Sequence, residues 1–261
     1  MLKKRLIPKL QMKMSEFGKR KMMVLVTTVN FDKVMEIGDP VSQAKIYEAQ
    51  AADELIFLDL DAHSEDRDTM IDVIKKSAEE IFMPFTVGGG VRSINDFRTL
   101  LSNGADKVSI NTAAVENPEL ISAAANLFGA QCVVLSIDFK FQNGEYSVFT
   151  KGGKQKTLLN PVEWAIAGVK LGAGEVLLTS IDRDGTRTGL DLEITRKISE
   201  AVNVPVITSG GCGLASHFVD GYLKGKADAV SSGTYFCFKD ENPMQTRSQI
   251  RNAGIRIRIH T

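Results

Sequence analysis

Cysteine, histidine and tryptophan are scarce in this chain of 261 residues, at three, three and one copies. The cysteines, Cys132, Cys212 and Cys237, are odd in number and lack metal-ligand spacing, which argues against a disulfide framework and for a reducing compartment, the cytoplasm. No HxxxH or CxxC pair occurs, so neither zinc nor another metal is expected, and no motif calls for a cofactor. Neither charge sign is in excess: Lys plus Arg and Asp plus Glu number 32 each, so no global field attracts nucleic acid or an anionic membrane, and any phosphate recognition has to be local. Long apolar runs are missing too. MMVLVTTV at 22–29 falls far short of the ~18 residues of a membrane helix, and MLKKRLIPKLQMK is too broken and too charged for a signal peptide.

What is present is repetition. Apolar runs of strand length recur at LIPKLQ (6–11), ELIFLDL (54–60), PFTVG (84–88), KVSIN (107–111), CVVLSID (132–138), EVLLTSI (175–181), PVITSG (205–210) and DAVSSG (228–233). Helical patterns lie between them: PVSQAKIYEAQAA (40–52) with Pro in its first turn, amphipathic TMIDVIKKSAEEIF (69–82), and NPELISAAANLF (117–128), which opens with an Asn cap and Pro at the first helical position. Eight strands alternating with helices in a chain near 250 residues predict an α/β fold, one (β/α)8 TIM barrel spanning 1–261. DELIFLDLDA at 53 answers GEVLLTSIDR at 174, PFTVGGG at 84 answers PVITSGG at 205, and ADKVSIN at 105 answers ADAVSSG at 227, at offsets of 121 to 122. The barrel therefore reads as two duplicated half-barrels, about 1–128 and 129–261.

Under that alignment Gln11 and Asp138 end the first strands of their halves and should face each other across the mouth at the C-terminal face. VGGG (87–90) and SGGCG (209–213) each join a strand to a helix, where bare backbone N–H groups and a helix N-terminus suit phosphate. For one such turn alone, a tight connection is the simpler reading. Each is followed about twenty residues later by a strand with a small polar end, SINT (109–112) and SSGT (231–234), so two phosphate pockets on opposite sides of one mouth are expected, for a ligand with a phosphate at each end. Asp138 is the candidate acid or base. Asp59, Asp61, Asp182 and Asp184 also crowd strand ends, some ordering loops, and Thr179, Asp184 and Ser209 are assigned to the substrate mouth. At the opposite face Arg5, Glu54, Lys107 and Glu175 each start a strand. If they point inward they must pair with one another, closing the floor with a charged ring.

The stretches DELIFLDLDA, FTVGGGVRS, GADKVSINTAAVENPELI, GAGEVLLTSIDRDGT and PVITSGGCG together resemble the cyclase subunit family of imidazole glycerol phosphate synthase, from histidine biosynthesis, over nearly the whole chain. The resemblance implies a glutaminase docked on the N-terminal face, ammonia passing through the barrel, and a ribulosyl nucleotide with two phosphates at the mouth. It implies that Arg5, Glu54, Lys107 and Glu175 form the ammonia gate. It also implies phosphate contacts at Gly89, Gly90, Asn111 and Thr112 on one side, and at Gly210, Gly211, Gly233 and Thr234 on the other. The family uses two aspartates, ending strands one and five. Asp138 matches the second, but Gln11 stands where the first belongs and cannot titrate near neutral pH. The segment MSEFGKRKMMVLVTTVNF reads as a lengthened loop with Thr27 where the family has a ligand-reaching lysine, and Lys9 replaces a usual small residue. Lys19, Arg20 or Lys21 could reach in to compensate. Members encoded with surface-polysaccharide genes resemble this altered pattern, and there the ammonia amidates an acidic sugar. The related phosphoribosyl isomerase barrel also needs an aspartate at the end of strand one, and Gln11 counts against it.

Overall fold

A computed structural model describes residues 3–17, 20–60, 67–238 and 242–258. Its strands are β1 Arg5–Phe17, β2 Arg20–Val29, β3 Lys33–Gly38, β4 Leu55–Asp59, β5 Phe85–Gly88, β6 Lys107–Ile110, β7 Val133–Gln142, β8 Glu145–Thr150, β9 Gln155–Lys156, β10 Glu175–Ser180, β11 Val206–Ser209 and β12 Ala229–Ser232. Eight of them close a parallel barrel in the order β1-β4-β5-β6-β7-β10-β11-β12, with β12 pairing back onto β1. Helices between successive barrel strands complete a (β/α)8 TIM barrel, as the alternation in the sequence predicts.

Side chains alternate across each strand, and two apolar sets result. The outward set, including Leu6, Leu10, Leu55, Phe57 and Leu135, packs beneath the helices. The inward set, Ile7, Ile56, Val134, Leu177, Ile207 and Ala229, fills the waist of the barrel. Polar residues therefore lie above and below a dry layer.

Two readings from the sequence need correction. The segment 14–37 is not a long loop: β1 runs on past the barrel and pairs antiparallel with β2, which pairs with β3. Its apolar MMVLV stretch is buried from Met23 to Val26, which is why it is a strand. The second half does the same, with β7 continuing into β8 and β9. Asn117 also does not cap its helix. That helix runs Glu119–Phe128 without a side-chain cap bond, while the Asn117 N–H goes back to the Ala113 carbonyl. The helix Pro40–Ala49 does have Pro in its first turn, behind an Asp39 cap that accepts from the Ser42 N–H. No helix among the described residues is long and apolar enough to cross a membrane.

Candidate active site

The four charges at the strand starts meet inside the floor. Arg5 donates to Glu54 Oε1 at 2.8 Å and to Glu175 Oε1 at 2.5 Å, and Lys107 Nζ donates to Glu54 Oε2 at 3.0 Å and to Glu175 Oε2 at 2.8 Å. Each acid thus bridges both bases, and the ring closes on itself. Burial alone would lower the Arg5 pKa, yet the two glutamates outweigh it and push it up. Burial would likewise raise the Glu54 carboxyl, and Arg5 and Lys107 overcome this to hold it below the usual range. Lys107 is the least buried of the four.

At the other end, a cavity of about 520 Å³ brings together Gly89, Gly90, Asn111, Thr112 and Asp138. Asn111 Nδ2 donates to Asp138 Oδ2 at 2.7 Å, so one residue assigned to phosphate also orients the acid. Burial pushes the Asp138 carboxyl up to about 6, against the pull of Lys9 and of the bonds from Asn111 and Thr179. A carboxyl in that range can hold or release a proton near neutral pH. Thr112 Oγ1 accepts from the Lys151 N–H at 2.9 Å, which fixes the rim of the cavity.

Gln11 does not line this cavity. It is buried, and its amide Nε2 donates to Thr28 Oγ1 at 3.1 Å, which in turn donates to Asp184 Oδ2 at 2.6 Å. Asp184 Oδ1 also faces Lys9 Nζ at 3.6 Å. The mouth therefore contains an internal cation on β1 itself, whereas Lys21 stands exposed on the hairpin. Lys19 and Asp61, and the side chain of Arg20, lie outside the described residues. Thr28 and the inward placement of Lys9 escaped the sequence reading. The alternation Arg5, Ile7, Lys9, Gln11 on one strand was the available signal for Lys9.

The second glycine set lies on the far side, at the ends of β11 and β12. Gly89 has φ +101°, and a Cβ there would sit 2.2 Å from the Asp59 carbonyl oxygen; Gly210 has φ +89°, and a Cβ would sit 2.5 Å from that of Ser180. Both pairs are related by the same 121-residue offset, and both turns need glycine for packing, apart from any ligand. Gly211, Gly233 and Thr234 follow in the same region, and Ser209 and Thr179 are buried beside them. Asp182 orders a loop by accepting from the Phe141 N–H at 2.8 Å. A larger cleft, about 910 Å³, is lined by Phe141, Tyr146, Arg183 and His217, but it contains neither Asp138 nor a glycine turn. Among the described residues no cluster of His, Cys, Asp or Glu could hold a metal ion.

Comparison with known proteins agrees with this architecture. The sequence profile of the histidine biosynthesis protein family matches residues 7–241. The chain is 50% identical over 260 residues to a protein of Prochlorococcus marinus (strain MIT 9313) described as "Putative imidazole glycerol phosphate synthase subunit hisF2", covering 99% of each. It is 46% identical over 261 residues to the imidazole glycerol phosphate synthase subunit HisF of Clostridium botulinum (strain Okra / Type B1), and 46% over 260 residues to that of Geobacillus thermodenitrificans (strain NG80-2). In both cases 99% of this chain and 100% of the relative are covered.

Proposed function

Because the chain belongs to the histidine biosynthesis protein family, as a HisF-type subunit of imidazole glycerol phosphate synthase, we propose that it accepts ammonia from a glutaminase docked on its N-terminal face and binds a bis-phosphorylated ligand at its mouth, with little intrinsic cyclase turnover. The observation that carries this reading is Gln11: an amide, already engaged by Thr28, stands where an acid equivalent to Asp138 is needed. One acid of a cooperating pair supplies only part of the proton traffic, and losing its partner removes roughly two to four orders of magnitude in rate.

The floor supports the ammonia reading. Arg5, Glu54, Lys107 and Glu175 bond to one another across the floor, a closed ring that ammonia entering along the axis would have to pass. The apolar waist beyond it suits neutral ammonia better than ammonium. Phe82, Leu127 and Leu223 lie at or just past helix C-termini, hence on the floor side, and are exposed, Phe82 at 95%. Such a surface suits a partner subunit.

The test is turnover of the ribulosyl bis-phosphate substrate by purified protein in ammonium salts, with formation of the imidazole product followed. We expect very slow conversion; ordinary enzyme rates would overturn the reading. An intact floor beneath an altered mouth favours one alternative, that ammonia is passed on for amidation of a surface-polysaccharide sugar. In that case the gene fails to rescue a histidine auxotroph lacking its cyclase, and its deletion alters the sugar's amidation instead.

A further inference from the structure

Asn111 shares its cavity with the first glycine turn, yet its side-chain amide is already engaged. Nδ2 donates to Asp138 Oδ2 at 2.7 Å and to the Phe149 carbonyl at 3.3 Å. Both partners accept, so no amide hydrogen is left for an anion. Oδ1 is buried without a partner among the described residues, and an acceptor there repels a phosphate and suits a hydroxyl. Three carboxylates, Asp59, Glu116 and Asp138, line the same cavity. A phosphate brings a further charge of about −1.5 to −2, so backbone N–H groups at the turn need a cation beside them.

Lys151, in the turn from β8 to β9, is placed to be that cation. Its N–H donates to Thr112 Oγ1 at 2.9 Å, which leaves the Thr112 hydroxyl hydrogen for a ligand. Its side chain lines the cavity with the ammonium 3.9 Å from Glu116 Oε1. Both side chains of that pair are about half exposed, and so loose a pair holds weakly. The backbone is unusual as well. Lys151, Gly152 and Gly153 take φ of +53°, +64° and +79° in succession, a left-handed run that costs a lysine more than a glycine. The turn itself therefore gives no reason for a lysine. The other half of the barrel has no counterpart: Phe149 pairs with Asp138 and Val26 with Gln11, so Lys151 and Thr28 each lie two residues past the branch, and Thr28 donates to Asp184 instead.

We propose that Lys151 selects a phosphomonoester for this half of the mouth. It leaves Glu116 and pairs with the phosphate held at Gly89, Gly90 and Thr112, while Asn111 Oδ1 accepts from a hydroxyl of the same ligand. The proposal rests on the phosphate-binding reading above and adds to it the ligand's chemical class and orientation: a hydroxylated phosphomonoester whose charged end lies on the side that contains Asp138.

The experiment measures binding of ribulose 5-phosphate to the full chain by calorimetry, with unphosphorylated ribulose as the second probe. A charge-assisted contact is worth roughly 10- to 100-fold in affinity, and Lys151→Met should lose that much for ribulose 5-phosphate while Lys151→Arg retains most of the binding. Lys151→Gly keeps the left-handed turn without the ammonium, so it should bind as poorly as Lys151→Met while its denaturation midpoint rises. Arg92→Met removes the other cation on the lining and should lose less. Suppose that the native chain binds ribulose 5-phosphate well and ribulose poorly. Native affinity in Lys151→Met, full affinity in Lys151→Gly, or an equal loss in Arg92→Met then overturns the role of Lys151 and leaves the phosphate reading standing. If the native chain binds ribulose 5-phosphate no better than ribulose, the phosphate reading falls and the proposal with it.

Discussion

Gln11 and Asp138 occupy equivalent branch points: each is the residue at which a barrel strand, still paired in parallel with a neighbour, begins antiparallel pairing, Gln11 opposite Val26 and Asp138 opposite Phe149. The backbone around them matches and the chemistry does not. Substituting Gln11→Asp restores the second carboxylate without moving the strand. We expect turnover in ammonium salts to rise by about 10²-fold or more, measured as imidazole product formed per unit time. An unchanged rate would mean that the acid at the end of β1 is not what limits this chain. The new carboxylate would compete with Asp184 for the Thr28 hydroxyl, so Lys9 is expected to be shared between two acids.

The floor ring gives a stability prediction. Removing Arg5 leaves two buried glutamates sharing the single cation Lys107, so Arg5→Met should cost about 3 to 5 kcal/mol at neutral pH, read from chemical denaturation. Because the folded Glu54 carboxyl sits below its ordinary value of 4.5, its contribution is complete above that value and is lost as the pH falls through the lower folded one. The native protein should therefore lose stability on acidification below about pH 4.5, and Arg5→Met should lose less over the same interval.

The barrel was legible because its eight apolar runs keep strand length and alternate with helical segments, and because three stretches recur in order at offsets of 121 to 122. The antiparallel excursions were not, because β2 carries Met23 to Val26 as a continuous apolar run, and only its pairing with β1 shows which neighbour covers it. The chain of contacts from Gln11 through Thr28 to Asp184 depends on that same register and spans 156 positions from Thr28 to Asp184. Asn111 was singled out for phosphate, and its bond to Asp138 became visible only when β6 and β7 were laid side by side.

The duplicated glycine turns predict matched effects. Alanine at Gly89 or Gly210 must adopt a positive φ and drive its methyl into a carbonyl oxygen, of Asp59 or of Ser180. Left-handed backbone alone costs a non-glycine residue about 1 to 2 kcal/mol, and the overlap adds to that. Both variants should lower the denaturation midpoint by similar amounts even with no ligand present. A large loss at one site and none at the other would contradict the equivalence of the two halves.

Asp138 carries the last prediction, and its sign is the reverse of the floor's. Its folded carboxyl titrates near 6 against an ordinary 3.8 because burial disfavours the charge more than Lys9, Asn111 and Thr179 favour it. Between those two values the folded chain binds more protons than the unfolded one, so stability falls as the pH rises and stays reduced above about 6. The gap corresponds to roughly 3 kcal/mol. Asp138→Asn removes the charge while leaving an oxygen to accept from Asn111, so it should stabilise the protein by up to about that amount at pH 7 to 8, with the gain shrinking toward zero below pH 3.8. Denaturation midpoints across this range check it. A variant that is less stable than the native chain at pH 8 would mean that the carboxylate is held there by partners strong enough to repay its burial, and that Asp138 is a structural anchor instead of a group poised to exchange protons.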